Sequence, residues 1–376
     1  MKKGGLFLIF WVVAVAGFAQ QTFYYTDKNA DYKKGLLLFT EKNYMSARNT
    51  LQQFVLAEKP QGLILDETDY MIAVSAAENN DDDAEKLLDN FLKKHSDSYR
   101  TAYINFYLGR YYYKNNKYQE AIDKLAGLSP NEIPEKYQTE YKFQLGYCYF
   151  VKKKFDEAQP LFASIRNIKE KYYYPSNYYY AFISFYKNQY DEALKSFLQI
   201  EDSEMFSSVI PYYVSQIYYL KKDYSKTIDY IKSHIDKPNV LYVEEMNQLL
   251  GECYFQLSDY EKALPLLEKR VAKGEKVRKE DIYELAYSQY KLQKYNDAVA
   301  NLLQLNLVDD TLGQNATYVL ADCYLQLGDK EKAKAAFQSA STKKFDTQIK
   351  HEALFNYAKL SLESGNPTEC VSALKQ

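Results

Sequence analysis

Glycine and proline are scarce in this chain of 376 residues, at 13 and 9. That scarcity excludes collagen-like and low-complexity chains and argues against a turn-rich all-β architecture. Histidine (3) and cysteine (4) are too few for a protein built around metals or disulfides. Neither sign of charge dominates. Lys and Arg number 48 against 50 Asp and Glu, and a net charge of −2 leaves no global basic field for nucleic acid. After the first twenty residues no apolar run approaches the ~20 residues that cross a bilayer. What is abundant is tyrosine, with 40 residues, about one in nine. At 47% apolar and 26% charged, the composition is that of a folded chain. Length alone suggests two or three domains, at roughly 100–200 residues each.

The first residues read as an export signal. Met1-Lys2-Lys3 is a short positive start, Leu6 to Ala16 is apolar and uncharged, and Gly17-Phe18-Ala19 puts small residues where a signal peptidase reads them. Cleavage is expected after Ala19, leaving Gln20 at the mature N-terminus, a short extension over 20–27 and no tryptophan, since Trp11 is the only one. The competing reading is a retained membrane anchor. The run is short for a span, and polar Gln20-Gln21 follows at once.

A period near 36 organises the rest. A small residue is followed twelve positions later by another: Gly35 and Ala47, Gly109 and Ala121, Gly146 and Ala158, Ala181 and Ala193, Gly251 and Ala263, Ala286 and Ala298, Ala321 and Ala333. Ser215 with Thr227 and Ala358 with Cys370 keep the spacing with larger residues, and Ile72 with Ala84 is a degenerate copy. We call the first residue of each pair the anchor. Nine positions after it stands an aromatic, as at Tyr44, Tyr118, Phe155 and Tyr190. Sixteen after it stands a large apolar residue, as at Leu51, Leu125, Phe162 and Phe197. These offsets predict two short amphipathic helices per repeat, the small residues allowing close approach and the large one filling the space left. Polar turns separate the helices, and Pro60, Pro130, Pro134, Pro175, Pro211 and Pro238 fall where helices should end. Pro160 and Pro265 both lie fourteen after an anchor, inside the second helix, and imply a tolerated kink near its start.

This pattern resembles the tetratricopeptide repeat (TPR). Leu145-Gly146-Tyr147-Cys148-Tyr149 with Phe155, Ala158 and Phe162 is close to the family's signature, as is Leu250-Gly251-Glu252-Cys253-Tyr254 with Tyr260, Ala263 and Leu267. The family's early Trp is missing throughout. The resemblance implies an all-α, right-handed α-solenoid of about ten helix-turn-helix repeats over 28–376, expected to continue past residue 376.

In this family the first helices line a concave surface. Positions three before and four after the anchor share one face, and the slot one after it joins them. Repeats three to six then offer an aromatic groove of Phe106, Tyr113, Phe143, Tyr147, Phe150, Tyr178, Phe182, Phe185, Tyr212 and Tyr219, with Arg110, Lys114 and Tyr186 beside it. The competing reading packs such rings between adjacent helices as ordinary core. A rigid ring with a polar tip suits a binding face, and the groove suits an extended peptide or a partner's helix. The same rings could stack a glycan.

Chemistry-bearing residues do not converge. Cys148, Cys253 and Cys323 share one slot in distant repeats and read as small core residues, as does Cys370. His95, His234 and His351 lie in separate repeats, and His351-Glu352 lacks the second His of a zinc-protease helix. Asp81-Asp82-Asp83 reads as a solvated turn and helix cap. Asn315-Ala316-Thr317 is a glycosylation triplet without meaning in a cell lacking that machinery. We therefore expect no catalytic residue, metal or cofactor. The expected role is a non-enzymatic scaffold for partner proteins or peptides in an exported compartment, periplasmic or peripherally associated with an outer membrane. A carbohydrate or cell-wall binder and an N-terminal recruiting domain of a longer protein are the alternatives.

Overall fold

The computed structural model of the chain describes residues 27–274, 277–305 and 309–375. The expected signal at 1–19, and the extension at 20–27 apart from its last residue, lie outside the described residues. Among the described residues there are twenty α-helices and no strand. They fall into two compact units, Met1–Lys187 and Asn188–Gln376.

Unit one holds four helix hairpins and one further helix: α1 (Ala30–Thr40) with α2 (Tyr44–Glu58), α3 (Gly62–Asn79) with α4 (Ala84–Lys94), α5 (Thr101–Lys114) with α6 (Tyr118–Leu125), α7 (Glu135–Val151) with α8 (Phe155–Ile165), and then α9 (Tyr173–Tyr186). Unit two opens with α10 (Tyr190–Gln199). It continues with α11 (Ile210–Leu220) and α12 (Tyr224–His234), α13 (Val243–Gln256) and α14 (Tyr260–Ala272), and α15 (Lys279–Lys291) and α16 (Tyr295–Leu302). It ends with α17 (Thr311–Gln326) and α18 (Lys330–Thr342), and α19 (Thr347–Glu363) and α20 (Pro367–Leu374). The architecture is the all-α helical-repeat solenoid that the periodicity implies.

Every anchor lies on an odd-numbered helix, and every residue twelve later on the even-numbered helix that follows. From Ala47 to Ala333 those second residues are fully buried, Ala84 of the degenerate copy included. The reason is visible at Gly35, where a Cβ would fall 2.5 Å from Leu51 Cδ2, the large residue sixteen later. The anchor is small because that side chain already fills its place.

Each hairpin within a unit turns through one residue with left-handed backbone: Lys42, Asn80, Asn116, Lys153, Lys222, Ser258, Gln293, Gly328 and Gly365, with φ between 58° and 81°. The next N–H reaches back to a carbonyl five residues earlier, as from Lys117 to Tyr112 and from Lys154 to Tyr149, both at 2.9 Å. This 6→1 bond closes the first helix. Asp223, Asp259 and Asp329 then cap the second helix by accepting from the N–H three residues on.

Pro160 and Pro265 are each the sixth residue of their helix, α8 and α14, further inside than the expected kink near the start. The residue after each proline comes close to the anchor. Leu161 Cβ lies 3.3 Å from where a Cβ on Gly146 would stand, and Leu266 Cβ lies 3.1 Å from the same point on Gly251. Within a unit each first helix also packs on the next first helix: α1 on α3, α3 on α5, α5 on α7 and α7 on α9 in unit one, and α11 on α13, α13 on α15, α15 on α17 and α17 on α19 in unit two. The odd-numbered helices therefore share a continuous face in each unit. Among the described residues no helix is long and apolar enough to cross a membrane.

Candidate docking surface

In unit one the first-helix face begins with a buried cation. Arg110 on α5 donates from Nη1 to Glu78 Oε1 on α3 at 2.6 Å and from Nε to Glu140 Oε1 on α7 at 2.8 Å. Its side chain is only 11% exposed. The guanidinium carbon lies 5.3–5.5 Å from the ring centres of Phe106, Tyr107 and Tyr137. Burial works against the charge, but Glu140 and Glu78 more than offset it and hold the guanidinium further above its ordinary range. Three successive first helices are tied together by this one residue.

Beyond it the rings take over. Tyr147 on α7 meets Tyr113 at 5.7 Å and 80°, Tyr118 at 5.8 Å and Tyr179 on α9 at 5.2 Å and 73°. Phe150 meets Tyr179 at 4.8 Å and Phe182 at 5.4 Å and 76°. Tyr178 packs on Tyr179 and Phe182. These are edge-to-face and tilted pairs, the arrangement ring quadrupoles favour. Tyr113, Tyr147, Phe150, Tyr178, Phe182 and Phe185 are half-buried, so part of each is open to a partner, and Tyr186 at the end of α9 is 66% exposed.

Two expected groove residues are corrected. Phe106 and Phe143 are core, at 1% and 6% exposed. Phe106 is covered by Tyr107 and Tyr137, and Phe143 stacks on Tyr172 at 4.5 Å and meets Phe162 edge-on at 5.8 Å. In these two repeats the slot three before the anchor points into the seam with the following helices, whereas Tyr178 and Tyr212 in the same slot stay half-buried. Tyr179, which touches Phe143, Tyr147, Phe150 and Phe162, is the central ring the sequence reading missed. It sits in the run Tyr178-Tyr179-Tyr180, where composition cannot say which ring faces which way.

Tyr212 and Tyr219 belong to unit two and are brought together there. With Gln216 and Leu220 they form the α11 wall of a cavity of about 310 Å³, closed by Glu245, Gln248, Leu249 and Glu252 of α13 and by Arg278 at the start of α15. Gln216 Nε2 donates to Tyr212 Oη at 2.6 Å, and Gln248 Nε2 donates to Glu252 Oε1 at 2.9 Å. Tyr212 stacks on Tyr242 at 4.7 Å. Arg278 Nη2 donates to Glu252 Oε1 and to Asp281 Oδ1, each at 2.5 Å, and Arg270 approaches Asp281 at 3.4 Å. Behind them Glu284 Oε2 is buried with no hydrogen-bond partner among the described residues. Burial, and then the charge of Glu252, pushes the Glu284 carboxyl up to about 8. Burial, and then Glu252, also raises the Tyr219 phenol. The polar members escaped the sequence reading although they stand in its own slots. Gln248 is three before the Gly251 anchor, and Gln216 and Glu252 are one after theirs. They are amides and a carboxylate in slots where other repeats hold rings, as at Tyr178, Tyr147 and Phe182.

A family model described as tetratricopeptide repeat matches residues 70–132 and 283–348. A second, described as anaphase-promoting complex, cyclosome, subunit 3, matches residues 243–305. No curated protein matches the sequence. Among solved structures, a chain of the Naa15/Naa10 structure bound to HypK-THB is similar over 93% of this chain at 12% identity and a TM-score of 0.45, and this chain spans 63% of its length. A tetratricopeptide repeat protein from Parabacteroides merdae is similar over 63% of this chain and 91% of its own, at 16% identity and a TM-score of 0.40. YrrB, described as a TPR protein with an unusual peptide-binding site, is similar over 51% of this chain and 95% of its own, at 16% identity and a TM-score of 0.41.

Proposed function

We propose, from the premise that the chain is a tetratricopeptide-repeat protein, that it is a non-enzymatic protein–protein interaction scaffold docking peptide segments of its partners on the first-helix face. The observation that carries this reading is the half-open ring cluster of α5, α7 and α9. Tyr113, Tyr147, Phe150 and Phe182 brace one another and keep part of their surface in solvent. Such rings supply large contact area at little conformational cost. The helical backbone has already spent its hydrogen bonds internally, so a partner must be read by side chains.

The test is cross-linking in intact cells followed by mass spectrometry, comparing the native chain with a Tyr113→Ala, Phe150→Ala, Phe182→Ala variant whose circular dichroism and melting are first shown to be unchanged. We expect the variant to lose the cross-linked partner. An unaltered partner on a correctly folded variant would move docking to another surface.

The reading includes a location, in an exported compartment and either periplasmic or associated with an outer membrane. Its support is the residue pattern of the first nineteen positions. Protein recovered from an osmotic-shock fraction should begin at Gln20 and, having lost Trp11, show no tryptophan emission on excitation at ~295 nm. Recovered protein that still carries Met1 and a tryptophan band would overturn the location.

A further inference from the structure

We propose that the cavity between α11, α13 and the start of α15 is a receptor for one lysine or arginine side chain of a docked segment. This rests on the scaffold reading and names what the face of unit two would select.

The argument is charge complementarity inside a shaped site. Helix α13 carries Glu244, Glu245 and Glu252 and not one basic residue. Glu244 is committed elsewhere, to Lys269 and Lys273. Glu245 lines the cavity, is exposed and has no ion-pair partner among the described residues. Arg278 serves both Glu252 and Asp281, and Arg270 stands 3.4 Å from Asp281, so two cations face the three carboxylates Glu245, Glu252 and Asp281 and one negative charge is in excess. Beside this wall burial, and then the charge of Glu252, holds the Glu284 carboxyl above its ordinary range, so it adds no further unmet negative charge. A cation entering beside Glu245 and Glu252 relieves that excess, whereas an acidic side chain adds to it. The rings complete the fit. Tyr212 and Tyr219 stand one helical heptad apart on α11 and flank the same cavity, offering aromatic faces to an alkyl stem and its charged tip. The Gln216 amide lies between them.

The probe is a fluorescein-labelled nonapeptide of alanine and serine with lysine at its centre, alongside versions carrying norleucine and glutamate there. Binding to the full chain is read by anisotropy at ~50 mM and ~500 mM salt. We expect the lysine peptide to bind at least tenfold more tightly than the norleucine peptide, and the glutamate peptide to bind most weakly. High salt should shrink the difference, as screening of a partly exposed pair requires. Glu245→Lys alters an exposed side chain and should abolish the preference without changing the circular dichroism. Equal affinity for the three peptides, binding by none of them, or an undiminished preference in Glu245→Lys overturns the proposal. Cellular cross-linking of the native chain separates the two readings. If the native chain retains its partner while the three peptides bind it alike, the cation receptor fails and the scaffold stands. If the native chain retains no partner, the scaffold reading fails as well.

Discussion

Leu125 occupies the place that a side chain at position 109 would need: its Cγ and Cδ2 lie 2.5 Å from where a Cβ on Gly109 would stand. The two residues are sixteen apart, on α5 and α6, and Leu125 is fully buried. A glycine in the middle of a helix normally costs about 1 kcal/mol against alanine. Here that cost is offset by the contact it permits.

The contact makes an inverted prediction. Gly109→Ala should gain about 1 kcal/mol of helix propensity and still lose stability, by up to about 2 kcal/mol, because overpacking costs up to about 3 kcal/mol. Gly127→Ala is the control, since a Cβ there has nothing within 4 Å, and it should be close to neutral. Urea midpoints of the two variants settle the matter. If Gly109→Ala proves as stable as Gly127→Ala, the anchor is not a packing device.

A second prediction concerns the hairpin turns. Lys153 and Gly328 occupy the same slot, seven after the anchor, with φ of 58° and 81°. A side chain in the left-handed region costs about 1–2 kcal/mol, less the extra chain entropy glycine loses on folding. Lys153→Gly should therefore stabilise by about 0.5–1 kcal/mol, and Gly328→Ala should destabilise by a similar amount. Opposite shifts in melting temperature are expected. Shifts of the same sign would mean that the turn residue does not control the hairpin.

Those turns mark the limit of what the residues alone disclose. The repeat was legible because its restraint is steric and recurs. Only a small residue fits opposite Leu51 or Leu125, so spacing alone exposes it. The left-handed slot was not legible, because Lys, Asn, Ser and Gln together fill it more often than Gly does and only the backbone makes them alike. Phe106 and Phe143 were read as groove rings because a heptad face does not separate the open side of a first helix from its seam with the next. The cavity around Tyr212 and Tyr219 was half seen. The rings were found, while Gln248, Glu252 and Arg278 were missed, since their meaning lies in being neighbours across helices and not along the chain.

Glu284 gives the last prediction. Its carboxyl is pushed up to about 8 from an ordinary 4.5, first by burial and then by the charge of Glu252, with Arg278 pulling the other way. In the folded chain the group holds its proton over a range in which the unfolded chain has released it. Its stabilising contribution is therefore complete below about pH 4.5, declines as pH rises to about 8, and is level above that. The steepest decline is about 1.4 kcal/mol per pH unit. Carboxylates such as Asp223 and Asp259 behave oppositely. Lys226 and Lys262 lower their pKa, and their contribution fades only as pH falls below the usual carboxylate range. The two effects occupy different windows and can be separated. Glu284→Gln keeps the shape of the side chain and cannot ionise. Urea unfolding of both proteins from pH 5 to pH 9 should show the variant gaining on the native chain up to about pH 8, by a few kcal/mol in all, and no further above it. A constant difference across the interval would mean that Glu284 ionises as freely in the folded protein as in the unfolded one, and that Glu252 and Arg278 leave no excess of negative charge around it.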